Sequence, residues 1–268
     1  MKQFEKCIKY AATALALVLA CCIIGGIVGV LGLLNGLIDR DKVADDSKLY
    51  SISSNITALD VEIGAADFVI KQGDAFSVES NLKHLTVKEK NGVLKMEENS
   101  NFGGNYNDAA LTLYIPANTV FEKAEIVTGA GRLTVDELSA KTLELELGAG
   151  EVNIQSLYAL HAADIDGGAG KITISGGALH DLDFDMGIGE LELVSAISGR
   201  SEMDLGIGES NITLIGDRND YVIDVEKGIG SLTVDGKQVT DFGNSGTGEN
   251  SLRISGGIGQ INLSFDTP

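Results

Sequence analysis

Residues 129–135 read GAGRLTV. The same frame returns as GAGEVNI at 148–154, GAGKITI at 168–174, GIGELEL at 187–193 and GIGESNI at 206–212. It returns twice more, as GIGSLTV at 228–234 and GIGQINL at 257–263. The leading glycines are evenly spaced from Gly129 through Gly148, Gly168 and Gly187 to Gly206, and the steps to Gly228 and Gly257 are longer. Self-similarity at a period of about 20 residues is the signature of a solenoid, in which one supersecondary unit cannot bury its apolar face alone and stacks on its neighbours. Within each copy the apolar residues alternate at period two, so the units are strands. A degenerate earlier copy, GAADFVI, occupies 64–70.

Reading down the columns gives the expected interior. The fifth position is Leu133, Val152, Ile172, Leu191, Ser210, Leu232 and Ile261. The seventh is Val135, Ile154, Ile174, Leu193, Ile212, Val234 and Leu263. Three residues before each copy stand Ile126, Leu145, Ile165, Phe184, Met203, Val225 and Ile254. Each coil is expected to lie on the coil before it, with like side chains about 4.8 Å apart. The paired glycines mark a corner where the backbone needs positive φ and no Cβ fits.

Two stretches break the period. Residues 71–122 contain VKEKNGVLKMEE at 87–98, whose Asn91-Gly92 pair signals a hairpin. LTLYIP at 111–116 then leads back into the coils, and residues 235–250 form a second, polar interruption. The expected organisation is a cytoplasmic stretch 1–10, a transmembrane helix 11–38, a linker 39–49, and a β-solenoid 50–268 with insertions at 71–122 and 235–250.

The anchor rests on the run 11–38, which contains no charged residue. About 20 apolar residues suffice to span a bilayer, and a secretory signal has a shorter apolar core. VLAC at 18–21 resembles a lipoprotein box, but Leu19 is bulky and the chain after Cys21 stays apolar. Lys2, Lys6 and Lys9 precede the run, against Arg40 and Lys42 after it, which favours an N-terminus inside the cell and the solenoid outside. The three cysteines are Cys7, Cys21 and Cys22, so the solenoid has neither a disulfide framework nor a thiolate metal site.

The chain of 268 residues carries 39 acidic and 20 basic side chains, a net charge of −19. Such a surface repels nucleic acid and anionic lipid. The acids are placed regularly. Four residues before each corner come Glu125, Glu144, Asp164, Asp183, Glu202 and Asp224. Two residues before come Glu146, Asp166, Asp185, Asp204 and Glu226, and Asp60 and Glu62 occupy the same places in the early copy. Carboxylates one rung apart repel by about 1 kcal/mol in water, less in salt, so a fold that did not use these columns had no need of them. They form a candidate face for Ca²⁺ or Mg²⁺, or for a basic macromolecule; the competing reading is a solvated acidic face that keeps the solenoid soluble.

Catalytic signals are lacking. There is no GxSxG, and no helix follows the GxG triplets to hold phosphate. His161 and His180 each stand seven residues before a corner and suggest at most a transition-metal pair with Asp164 and Asp183. The expectation is a non-enzyme.

LTLYIPANTVFEKAEIVTGAGRLTV at 111–135, the hairpin before it and the GxG coils after it together resemble the bacterial "putative adhesin" domain family. The resemblance covers residues 50–266. It implies a right-handed β-helix, membrane anchoring and an envelope setting, and supplies no catalytic residue. The function expected is an envelope-surface adhesion or scaffold module. The alternative is a membrane-anchored sensor or accessory regulator of an envelope-stress system, acting through a partner membrane protein.

Overall fold

The computed structural model describes residues 42–53, 55–98, 105–240 and 242–267. Its architecture is all-β, and one short 3-10 turn at Arg218–Asp220 is the single helical element among the described residues. The strands are β1 (Val43–Ser51), β2 (Ala58–Gly73), β3 (Ser77–Leu82), β4 (Leu85–Lys90), β5 (Val93–Glu98) and β6 (Ala110–Pro116). They continue as β7 (Phe121–Ile174), β8 (Gly177–His180), β9 (Leu182–Ser198), β10 (Arg200–Ile215) and β11 (Tyr221–Glu226). The last are β12 (Ile229–Val234), β13 (Lys237–Val239), β14 (Phe242–Ser245) and β15 (Asn250–Asp266). The anchor expected over 11–38 lies outside the described residues. Among those described, no helix is long and apolar enough to cross a membrane.

The coils stack in parallel. Asp183 pairs with Asp164 on one side and Glu202 on the other; Leu193 likewise lies between Ile174 and Ile212. The interior is the one the columns predict. Ile126, Ile165, Phe184, Met203 and Ile254 are fully buried, and every member of the fifth and seventh columns is less than a tenth exposed, Ser210 included. A fully buried Leu or Ile contributes about 1.5–3 kcal/mol by leaving water, and the effect recurs on every rung.

The glycine corner departs from expectation in one respect. The second glycine has positive φ in each regular copy, from 115° at Gly131 to 150° at Gly259. The first has such a φ only at Gly228 (63°), and in the other copies is required by space alone. A Cβ on Gly148 would fall onto the carbonyl oxygen of Gly129, and one on Gly206 onto that of Gly187. The corner is therefore a place where backbone of one coil rests on backbone of the next.

The expectation that each coil lies on the preceding one fails at both ends. Parallel to β10 lies β15, the last strand, and only beyond β15 lie β11 and β12. The corner glycines thus stack in the order Gly206, Gly257, Gly228. The 3-10 turn at Arg218–Asp220, closed by reciprocal Asp217 and Asp220 hydrogen bonds, carries the chain outward by one extra rung. The C-terminal strand returns into the gap. Asn250 joins the two sides, its Oδ1 accepting from Gly199 N (3.0 Å) and its Nδ2 donating to Asp220 O (3.2 Å). At the opposite end β2 is flanked by β7 on one side and by β5 and β6 on the other. The residues 71–122 thus supply the outermost rung. Their hairpin turns through Asn91 and Gly92, both with positive φ (53° and 79°), and pairs β4 with β5. Antiparallel strands edge both ends: β3, β4 and β1 at one, β13 and β14 at the other.

Replacing Gly189, whose φ is 148°, by Ala places a Cβ on the carbonyl of Gly170. Gly189→Ala is expected to lower unfolding stability by about 2–4 kcal/mol, whereas Ala149→Ser at an exposed corner changes it by less than about 0.5 kcal/mol. Urea unfolding of the two variants measures the difference.

Candidate functional site

The outward face carries the acidic columns because side chains alternate across each strand. The inward neighbours of Asp183 and Asp185 are Leu182, Phe184 and Met186, all buried, while the two aspartates are exposed. Parallel register then sets like against like. Asp164, Asp183 and Glu202 align on successive rungs, and so do Asp166, Asp185 and Asp204.

The columns are not uniformly acidic. Because β15 is inserted between β10 and β11, Arg253 falls between Glu202 and Asp224. Its Nε lies 3.8 Å from Glu202 Oε1, and one terminal nitrogen lies 3.9 Å from Glu226 Oε1. At the other end Lys95 pairs in register with Asp60, 3.2 Å from Oδ2. Lys123, two residues before Glu125 on the neighbouring rung, bridges Glu125 at 2.9 Å and Glu144 at 2.8 Å. The two carboxylates raise its pKa, Glu144 the more. Ser255 interrupts the second column between Asp204 and Glu226.

What is left between these cations, besides Glu146, is a central block of five aspartates: Asp164, Asp166, Asp183, Asp185 and Asp204. Burial first, then the charges of Asp166, Asp183 and Glu144, hold the Asp164 carboxyl above its ordinary 3.8. Burial and then Asp204, Asp166, Asp183 and Asp164 do the same to Asp185. Elsewhere the balance is opposite. Glu151 is held below its ordinary 4.5 by the Asn153 amide and by Arg132.

The predicted acids are thus brought onto one face: Glu144, Asp164, Asp183, Glu202 and Asp224 in one column, Glu146, Asp166, Asp185, Asp204 and Glu226 in the other. They are spread one per rung. Among the described residues no three or more His, Cys, Asp or Glu side chains are gathered to hold a metal ion. His161 and His180 lie at a corner where the pairing offset drops by one, between Ala159 with Leu179 and Ala163 with Leu182. His180 Nδ1 instead meets Ser198 Oγ at 2.9 Å. The sixth position of the copies is polar, and in three of them it forms a short ladder: Asn262 donates to Asn211 (2.7 Å), which donates to Glu192 (2.9 Å). A hollow behind the corners of the first coils, about 30 Å³ in volume, is lined by Ile63, Phe68, Leu133 and Val152 among others.

Sequence reasoning missed the cations. Arg253 stands four residues before Gly257, so the column itself, extended by one copy, announces it. Lys95 has no corner glycine after it, and only the pairing of β5 with β2 reveals its place.

A carboxyl whose pKa is raised in the fold holds its proton more tightly there than in the unfolded chain. Its charged form costs stability, which returns as pH falls through the raised value and is complete below the ordinary 3.8. Asp164→Asn with Asp185→Asn is expected to raise the melting temperature at pH 7 by roughly 2 °C in low salt, and to flatten the gain on acidification. Melting curves for variant and parent at pH 7 and just below pH 3.8 measure both effects.

The model of the Toastrack DUF4097 family matches residues 77–264. No curated protein matches the chain. Among solved structures it resembles a putative adhesin of Bacteroides fragilis at 13% identity and TM-score 0.46, covering 84% of this chain and 99% of that one. It resembles a putative cell adhesion protein of Clostridium sporogenes at 15% identity and TM-score 0.32, covering 82% and 99%. A putative lipid binding protein of Parabacteroides distasonis is similar at 16% identity and TM-score 0.43, covering 84% and 98%.

Proposed function

We propose that this chain, which belongs to the Toastrack DUF4097 family, is a non-catalytic binding module held at the outer face of a bacterial membrane. Its apolar segment 11–38 is the anchor, with residues 1–10 inside the cell and the coils outside. The coils turn right-handed, as the resemblance to the adhesin domain family implies.

The observation that carries the reading is the central block of five aspartates. It is set in register on a rigid face. Among the described residues none of the five forms an ion pair, while Lys95, Lys123 and Arg253 neutralise the acids around them. The fold could have continued the pairing across the centre. A row of carboxylates at one per rung suits a basic macromolecule better than a discrete Ca²⁺ or Mg²⁺ site, which needs six to eight oxygens converging on one point.

Two measurements test this. Protease added to intact cells is expected to remove the coils; protection until the membrane is opened contradicts the topology. In solution, poly-lysine is expected to bind the parent chain and to lose about tenfold in affinity on Asp164→Asn, Asp183→Asn and Asp185→Asn together. Millimolar Ca²⁺ or Mg²⁺ is expected to shift the melting temperature no further than matched ionic strength. A larger shift, reversed by EDTA, would assign the face to a cation instead.

A further inference from the structure

The middle residue of each GxG corner forms a column of its own. In spatial order it runs Ala130, Ala149, Ala169, Ile188, Ile207, Ile258, Ile229. Small residues satisfy the corner in three coils, so the fold does not call for isoleucine in the other four. Those four stand in unbroken parallel register, and Ile188, Ile258 and Ile229 are 41%, 41% and 55% exposed. Large apolar side chains exposed singly are ordinary, but three exposed isoleucines aligned with the half-buried Ile207 on consecutive rungs make a ridge about 14 Å long.

Acids border the Ile188 and Ile207 half of the ridge, while beside Ile258 and Ile229 the same places hold Ser255 and Gln260, and Glu226 and Ser231. Three residues before Ile188 and Ile207 stand Asp185 and Asp204, part of the unpaired block. Two residues after them stand Glu190 and Glu209, also in register and exposed. Lys171 reaches Glu190 at 3.3 Å, and Lys227 is turned back onto the corner, its Nζ donating to Gly230 O at 2.9 Å. These borders select the occupant. A second copy would bring its own acids onto these, in a chain of net charge −19, and an anionic bilayer would be repelled in the same way.

We propose that the Ile188–Ile207–Ile258–Ile229 ridge, with the acids beside its Ile188 and Ile207 half, docks an amphipathic helix that carries an apolar stripe between basic residues. The rungs repeat about every 4.8 Å and a helix turns about every 5.4 Å, so apolar residues at i, i+4, i+7 and i+11 laid along the ridge meet successive isoleucines. Lysines beside the stripe then reach Asp185 and Asp204 on one flank and Glu209 on the other. This rests on the binding-module reading and names its partner.

The test uses the full chain in zwitterionic nanodiscs, with empty nanodiscs as the blank. The probe is a labelled synthetic helix of about 18 residues, Leu on one face and Lys on the other; a second peptide keeps the lysines and replaces each Leu by Ser. The Leu/Lys helix is expected to bind about tenfold tighter than the Lys/Ser peptide. Changing the four isoleucines to Thr, which keeps the β-branch, is expected to erase that difference. Asp185→Asn with Asp204→Asn is expected to weaken the Leu/Lys helix and flatten its salt dependence. Equal binding of the two peptides, or no loss in the four-Thr variant, overturns the ridge as the site and leaves the acidic-face reading standing. Failure of both peptides overturns the ridge as well; the broader reading falls with it only if poly-lysine also fails to bind.

Discussion

Everything in this molecule depends on backbone resting on backbone at the GxG corner. Two carbonyl-to-glycine approaches per rung leave no volume for a Cβ, and the second glycine also takes a φ that other residues adopt only under strain. That contact fixes the rung-to-rung register. Once the register is fixed, each column position meets its own kind on the neighbouring rung. The apolar columns become a continuous core, and part of the polar column becomes the Glu192, Asn211 and Asn262 ladder. The same register forces carboxylate onto carboxylate. The acidic block is thus a consequence of the corner, and its repulsion is tolerated because the core and corners set the spacing regardless.

Inserting the C-terminal strand between two earlier coils settles two problems at once. It removes the last strand from the exposed end of the stack, where an open edge invites pairing with another chain. It also places Arg253 beside Glu202 and Glu226, where a further acid would otherwise extend the repulsion. The first coil is treated alike, since β2 is covered by β5 and β6 and meets Lys95 at Asp60. The stack therefore carries these cations toward its ends and keeps a block of five unpaired aspartates at the centre, next to the isoleucine ridge.

Much of this was legible in the sequence. Period-two alternation gave the interior from Ile126 to Leu263, and the Asn91-Gly92 pair gave the hairpin. Threading was not legible, because near-identical repeats carry no label for their neighbours. The corners at Gly228 and Gly257 carry the same GxG pattern, and what distinguishes their places is the Asp217–Asp220 turn and the Asn250 bridge. The acidic columns were legible as columns and not as a site, since their meaning depends on Lys95, Lys123 and Arg253, two of which are placed by the threading. The ridge was not legible either, because the residue between the paired glycines carries no mark of its exposure or of its neighbour on the next rung until the coils are stacked.

The threaded order is the claim on which the charge pattern and the ridge both depend, and amide hydrogen exchange tests it most directly. With β15 enclosed between β10 and β11–β12, amides from Leu252 to Leu263 are expected to exchange more slowly than those from Tyr221 to Val234, which lie on the outer rung. Faster exchange of residues 252–263 than of 221–234 would mean that the coils stack in sequence order, and would contradict the account.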